Sequence, residues 1–188
     1  STLMRSSAAS DVYKRQPYGD RNEFPCPDRL GSCTMTDSDY RSTRKGQSLE
    51  VFDTLYEAKQ HLNFKPQLPS GLEGLRSVHV SIVDHDVLQV VYAYHELLKG
   101  TYFDRVDDMP KYIKYRVSTV SGNIAGDYKD YVPQKTEIIN GMTVTYRMVD
   151  DAVYLASWEH AGQNHVFLFN APVSVERARE MINSVGTN

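Results

Sequence analysis

The stretch TEIINGMTVTYRM, residues 136–148, decides the fold of this chain. Its centre, Asn140-Gly141, is the dipeptide best suited to a type I′ turn, because both central residues of that turn take a positive φ. Beyond the turn, apolar and polar side chains alternate, and the apolar set is Met142, Val144, Tyr146 and Met148. Alternation with a period of two is typical of an antiparallel strand that is buried on one face. The stretch therefore predicts a β-hairpin lying on a core.

The same period continues on both sides of this hairpin. Towards the C-terminus, two turns lead into strands at residues 153–158 and 165–169, which predicts a meander. Towards the N-terminus, runs at 78–82 and 88–94 form a second hairpin, and a further alternating run covers 112–120. The intervening residues 95–109 are expected to form a loop with one short strand. Together these runs predict a curved antiparallel sheet of about six strands.

Helical signals occur at both ends of this strand-rich region. Thr54 and Glu57 have the spacing of a capping box, which predicts a short N-terminal helix that Pro66 and Pro69 follow. Ser174 is a suitable N-cap for a C-terminal helix. The apolar stripe of that helix is Val175, Ala178, Met181, Ile182 and Val185. An amphipathic helix after a sheet packs across the dry face of the sheet, so the predicted fold class is α+β.

The first 48 residues do not belong to this pattern. Residues 1–16, which include DVYKRQ at 11–16, resemble the translation of a sequencing-library adapter, so we interpret them as an artefact and expect a natural signal or anchor to have been lost. Residues 17–48 are rich in Pro, Gly, Ser and charged residues and are expected to be a disordered linker or tail. Cys26 and Cys33 lie there, either as a disulfide or as two free thiols. The predicted single domain covers residues 49–188.

Charge and hydropathy exclude several classes of partner. The whole chain has a net charge of −3, and residues 1–16 contain three basic residues and one acidic residue, so the rest carries −5. A mildly acidic domain with scattered basic residues lacks the electrostatic footprint of a nucleic-acid-binding protein. No apolar run reaches the roughly 18 residues that a membrane-spanning helix needs. We therefore expect no nucleic-acid partner, and membrane attachment only through a missing N-terminal anchor.

No catalytic or metal-binding motif stands out. His160 and His165 flank a turn, but they lack the further converging ligands that a zinc site requires. Asp104, Asp107 and Asp108 do not have the spacing of a calcium loop, and solvated turn carboxylates explain them better. Ser157 has no nucleophile-elbow context. The sequence therefore predicts a protein that is not an enzyme and that has no cofactor and no metal.

Tyrosines are the most suggestive residues for binding. The chain contains 13 of them, and four fall close together at Tyr112, Tyr115, Tyr128 and Tyr131. Tyrosine is enriched in recognition surfaces because it offers a large contact area at low entropic cost. It is also simply well suited to half-buried strands, and this second explanation is the stronger one. We predict that a ligand, if one binds, contacts these four tyrosines and the exposed sheet face.

The segment from about residue 49 to residue 185 resembles a bacterial family of unknown function. The resemblance rests on FDTLYEA at 52–58, FKPQLP at 64–69, LQVVY at 88–92, IAGDYKDY at 124–131, INGMTVT at 139–145 and LASW at 155–158. That family occurs in small cell-envelope proteins and at the extracytoplasmic C-terminus of anti-sigma-factor-like proteins. The resemblance implies a non-enzymatic, extracytoplasmic domain associated with the cell envelope, and a partner that is an unknown protein or envelope ligand.

Three functions follow from these observations. The first is binding or sensing at the envelope, as part of an anti-sigma-like regulator or a lipoprotein. The second is a carrier of the lipoprotein-sorting type, which would enclose an apolar ligand in a cavity lined by Leu88, Val90, Tyr146 and Leu155. The third is a hydrolase, for which a buried cluster of ionisable groups in a cleft would be needed.

Overall fold

The computed structural model describes residues 48–98, 106–126 and 133–186. Within the chain, Gln47–Asn188 forms a compact unit by itself. The predicted artefact, the predicted linker except its last residue, Ser48, and both cysteines lie outside the described residues. None of the helices in the described ranges has the length and apolar character needed to cross a lipid bilayer.

The unit is built on one antiparallel sheet of eight strands, so the expected number of about six was too low. The strands are β1 (Leu49–Phe52), β2 (Leu75–Val83), β3 (Val87–Tyr94), β4 (Tyr112–Ser118), β5 (Gln134–Ile139), β6 (Met142–Val149), β7 (Ala152–His160) and β8 (Gln163–Val173). The sequence missed β1 because four residues are too short to show an alternation, and β1 exists only through its pairing with β2.

The strand order is β1-β2-β3-β4-β8-β7-β6-β5. Two four-stranded meanders therefore lie side by side, and the pairing of β4 with β8 joins them. The predicted meander of β6, β7 and β8 is confirmed, and β5, the other strand of the predicted hairpin, is its outer strand. Only the connection from β4 to β5 crosses other strands, and β1 and β5 are the two edges of the sheet.

The hairpin that decides the fold has the predicted geometry. Asn140 and Gly141 have φ values of 50° and 82°, as a type I′ turn requires. Val144 and Tyr146 are fully buried on the core face, whereas Thr143 on the opposite face is exposed. The turn thus sets the register that sends every second side chain of β6 into the core.

The core lies between one face of the sheet and a covering layer. Residues from the N-terminal and C-terminal parts of the unit form this layer. Helix α1 (Leu55–Gln60) has the predicted capping box and buries Ala58. Helix α3 (Val175–Asn183) has Ser174 as its N-cap, as predicted, and buries Ala178, Met181 and Ile182. Between them, the segment 61–72 is tied to the end of α3 by a bridge from Pro69 to Val185. The predicted packing of the C-terminal helix on the apolar face is confirmed.

On the opposite face of the sheet, one arginine links β4 to β3 and to the chain that follows β4. Arg116 on β4 donates from Nε and Nη2 to Oε1 of Gln89 on β3, at 2.9 and 2.7 Å. Its Nη1 donates to the backbone carbonyls of Ile124 and Ala125, at 2.9 and 2.8 Å. These bonds fasten the chain after β4 to the sheet, where Ile124 and Ala125 form a second, smaller apolar cluster with Leu155 and Val166.

The region 95–109 differs from its prediction as far as it is described. Helix α2 (His95–Leu98) follows directly on β3, and a short 3-10 helix covers Val106–Asp108. Neither described part contains the short strand that the sequence suggested. Because α2 has only four residues, the weak apolar periodicity gave no helical signal there.

Candidate functional site

A notch opens at one end of the sheet, where β4 is shorter than its neighbour β8. The pairing of the two strands ends at Ile113 with Phe169, yet β8 continues to Val173. Beyond this pair, the side chain of Asn170 replaces the backbone of β8 as the hydrogen-bond partner of the chain before and at the start of β4. Its Oδ1 accepts from the backbone N–H of Tyr112 at 2.6 Å, and its Nδ2 donates to the carbonyl of Met109 at 3.4 Å. The chain before β4 therefore turns away from β8 and leaves a gap.

This notch holds a cavity of about 390 Å³ that is partly open to solvent. Helix α2 and the end of β3 form one wall, and the last residues of β8 form the other. The lining residues are Tyr94, Glu96, Leu97, Lys111, Tyr112, Ile113, Asn170, Ala171, Pro172 and Val173. Most of this surface is apolar or aromatic, and exposed Lys111 and Glu96 lie at its rim. Its size and composition fall within the range of small-molecule sites.

Tyr112, one of the two predicted tyrosines that the structure describes, lines the notch. It is half-buried, and its hydroxyl donates to Oδ1 of Asp107 at 3.0 Å. Burial, followed by the hydrogen bond and the negative charge of Asp107, raises the pKa of Tyr112 to about 12. Lys114 Nζ lies 3.2 Å from the same carboxylate oxygen and 5.1 Å from the centre of the Tyr112 ring. The phenol therefore stays protonated and is held in one orientation beside the cavity.

The other predicted tyrosines do not form a common surface with Tyr112 in the described part of the chain. Tyr115 is fully buried on the core face. The physical reason is the strand period: residues 112 and 115 are an odd number of positions apart, so they point to opposite faces of β4. Tyr128 and Tyr131 lie outside the described residues. Of the two predicted tyrosines that the structure describes, Tyr112 therefore lies at the notch and Tyr115 does not.

Tyr115 belongs instead to a buried polar group. Its hydroxyl lies 2.7 Å from the backbone carbonyl of Gln67 and 2.8 Å from Nδ1 of His165. Because the carbonyl can only accept, we infer that the hydroxyl of Tyr115 donates to the carbonyl of Gln67. The hydroxyl oxygen then accepts a hydrogen bond from a protonated Nδ1 of His165. The indole of Trp158 stacks on the imidazole, with ring centres 5.0 Å apart and planes 11° apart. These contacts join segment 61–72 to the middle of the sheet.

His165 is kept neutral by this environment. Burial is the main reason that the pKa of His165 is lowered from 6.5 to about 4. A hydrogen bond with the backbone of His160 raises this pKa, and the charge of the His160 side chain lowers it. The Nε2 atom has no hydrogen-bond partner among the described residues. A neutral imidazole with one free lone pair could serve as a base, but the side chain is 0% exposed and does not line the notch. Its contacts indicate a structural role.

The residues expected to line a carrier cavity do not come together. Leu88, Val90 and Tyr146 are completely buried in the main core. Leu155 lies on the opposite face, in the smaller cluster with Ile124 and Ala125. An irregularity in the pairing between Val153 and Leu155 causes this, because it moves the following side chains of β7 to the other face. The four residues therefore do not enclose one cavity.

The histidines considered as metal ligands are also separated. His160 pairs with Gln163 and His165 pairs with Trp158, so the two imidazoles are not opposite each other. Within the described ranges, no group of three or more His, Cys, Asp or Glu side chains is placed to hold a metal ion. Asp107, from the acidic turn, instead accepts from Tyr112 and Lys114.

Sequence reasoning missed Asn170 and Pro172, which shape the notch. The alternation ends at Phe169, so the prediction stopped β8 there, although the strand continues to Val173. Pro172 gave the available signal: it has no backbone N–H and is tolerated in a strand only where a ladder partner is missing. A proline in an extended segment thus indicates an unpaired stretch.

Comparisons with protein-family models, with curated proteins and with solved structures found no match.

Proposed function

We propose that this domain is a non-enzymatic binding module whose ligand occupies the notch at the start of β4. The observation that carries the proposal is the partly open cavity of about 390 Å³ between α2 and the end of β8. Its walls are aromatic and aliphatic, and its rim carries one positive and one negative side chain. A small amphiphilic molecule with an aromatic or aliphatic part matches this surface, since apolar walls with few polar groups favour such ligands.

The rigidity of the walls supports this proposal. Asn170 fixes the backbone of Tyr112 and Met109, and Asp107 fixes the hydroxyl of Tyr112. A cavity that is already formed does not require the ligand to order its walls, so less of the interaction energy is lost on binding.

Binding is tested by titrating indole and 4-methylphenol into the isotope-labelled protein and recording amide chemical shifts. We expect shifts that saturate and that map to residues 94–97, 111–113 and 170–173. Ala171→Phe, which fills the notch, should abolish them. Ala152→Phe, which changes another half-buried alanine outside the cavity, should leave them intact. Saturating shifts elsewhere, or shifts that persist in Ala171→Phe, would contradict the proposal.

We also propose that the domain acts outside the cytoplasm, attached to the cell envelope as part of an anti-sigma-like regulator or a lipoprotein. This part rests on the sequence resemblance alone. The unbroken reading frame upstream of residue 17 tests it. A membrane-spanning helix after a cytoplasmic sigma-binding segment supports the regulator, and a signal peptide with a lipobox supports the lipoprotein. A cytoplasmic start without either segment contradicts both.

A further inference from the structure

The outer edge of β5 is exposed, and two charged side chains, Lys135 and Glu137, limit how it can pair. β5 ends the strand order, so its second edge has no strand beside it in the described part of the chain. Gln134, Lys135, Thr136 and Ile138 are all exposed, and Ile138 is 74% exposed. Natural proteins protect edge strands by making them very short, with bulges or prolines, or with charged side chains, including inward-pointing ones. β5 has six residues, pairs regularly with β6 and contains no proline, but it carries Lys135 and Glu137 on the core face of the sheet, so only a register that satisfies these charges is open to it.

The sequence of this edge is complementary to itself. Lys135 and Glu137 lie on either side of Thr136 and point to the same face, because they are two residues apart. If two copies of β5 pair antiparallel around Thr136, each Lys135 faces a Glu137. The neighbouring symmetric registers, centred on Lys135 or on Glu137, place like charges directly opposite, which is destabilising. One register is therefore favoured.

Contacts within the same chain fix the position of Glu137. Its Oε1 accepts from Nη2 of Arg179 on α3 at 2.6 Å, and its Oε2 lies 3.4 Å from the hydroxyl of Tyr146. These contacts hold the carboxylate in place near the edge, where it is already paired with one cation. Lys135 is exposed and lies opposite Tyr146 in the register, so it is on the same face of the sheet.

We propose that β5 pairs antiparallel with β5 of a second copy of this chain, centred on Thr136, so that Lys135 faces Glu137 of the partner subunit. The resulting dimer has two-fold symmetry, and its sheet runs through both copies. The same pairing covers Ile138 in part, because Ile138 faces Gln134 of the partner subunit. The interface is small compared with that of a stable dimer, so dimerisation is weak and depends on concentration.

Charge reversal tests the register. Sedimentation equilibrium from about 10 µM to about 500 µM should show the wild-type chain passing from monomer towards dimer. Lys135→Glu and Glu137→Lys each place two like-charge pairs in the dimer, so each variant alone should dimerise about tenfold more weakly. An equal mixture of the two variants restores both opposite-charge pairs and should recover dimerisation. Lys65→Glu, at an exposed lysine outside β5, should behave as the wild type.

A second measurement does not depend on Glu137, whose replacement also removes the contact with Arg179. In a chain with Cys26 and Cys33 changed to serine, Thr136→Cys places two thiols opposite each other across the two-fold axis. Mild oxidation should crosslink this variant much faster than Thr143→Cys, which is an equally exposed threonine on β6. A wild-type chain that stays monomeric overturns the proposal. So does a mixture that fails to recover dimerisation, or equal crosslinking of the two cysteine variants.

Discussion

The hydroxyl of Tyr115 and Nδ1 of His165 lie 2.8 Å apart in the centre of the sheet, on two strands that are far apart in the sequence. This contact joins the two meanders, since Tyr115 is on β4 and His165 is on β8. The hydroxyl also donates to the carbonyl of Gln67, so a third part of the chain depends on it. One phenol thus links the covering segment to both halves of the sheet.

Removing this hydroxyl should destabilise the protein clearly. Tyr115→Phe keeps the ring but leaves the carbonyl of Gln67 and the Nδ1 proton of His165 without a partner. We expect a loss of about 1–3 kcal/mol in the free energy of unfolding, measured by urea denaturation. Tyr146→Phe is the control, because its hydroxyl makes only a long contact of 3.4 Å with Glu137. Equal losses for the two variants would contradict the importance of the buried contact.

His165 should make the protein sensitive to acid. The pKa of His165 is 6.5 when exposed and about 4 in the folded protein, so the unfolded chain binds the proton more strongly. Stability is therefore complete above about pH 6.5 and falls as the pH decreases towards 4. Between pH 7.5 and pH 5 the loss from this group is about 2 kcal/mol.

Urea denaturation across this pH range checks the effect. His165→Phe has no proton to bind and should show a correspondingly smaller loss at pH 5. His79→Gln provides a comparison, because burial and Lys114 also lower the pKa of His79, but that side chain is more exposed. If His165→Phe keeps the full pH dependence of the wild type, another group must be responsible for it.

Arg116 should make Gly126 intolerant of any side chain. A Cβ at Gly126 would lie 2.6 Å from Nη1 of Arg116. The guanidinium group of Arg116 is hydrogen-bonded to Gln89, Ile124 and Ala125, so it cannot move away without breaking these bonds. Gly141 also has a positive φ, but a Cβ there meets open space. Gly141→Ala should cost about 1 kcal/mol from backbone strain alone, and Gly126→Ala should cost about 2 kcal/mol more. Equal thermal stabilities would show that Arg116 adapts freely.

The C-terminal helix should depend on its N-cap. The hydroxyl of Ser174 accepts from the backbone N–H of Arg177 at 3.2 Å, and Met181 and Ile182 of the same helix are buried in the core. Ser174→Ala should reduce the free energy of unfolding by about 1 kcal/mol. Ser174→Asp keeps an acceptor and should restore most of it. A stable Ser174→Ala variant would mean that core packing alone fixes the start of the helix.

The sequence by itself determined the parts of this protein that depend on neighbouring residues. The type I′ turn at Asn140-Gly141, the capping box at Thr54 and the N-cap at Ser174 were predicted correctly, because each is set by contacts within a few positions. The alternation along β6 also identified which of its side chains are buried. Such periodic patterns indicate which face of a strand points to the core, even when the partner strand is not known.

The tertiary structure alone decided what depends on distant strands. β1 is a strand only because β2 offers it an edge, and the notch exists only because β8 outlasts β4. The irregularity in β7 sends Val153 and Leu155 to opposite faces, although their spacing predicts the same face. Register and strand length are set by hydrogen bonds between chain segments that the sequence does not place side by side. For that reason the alternation of residues predicted the core of this protein but not the notch.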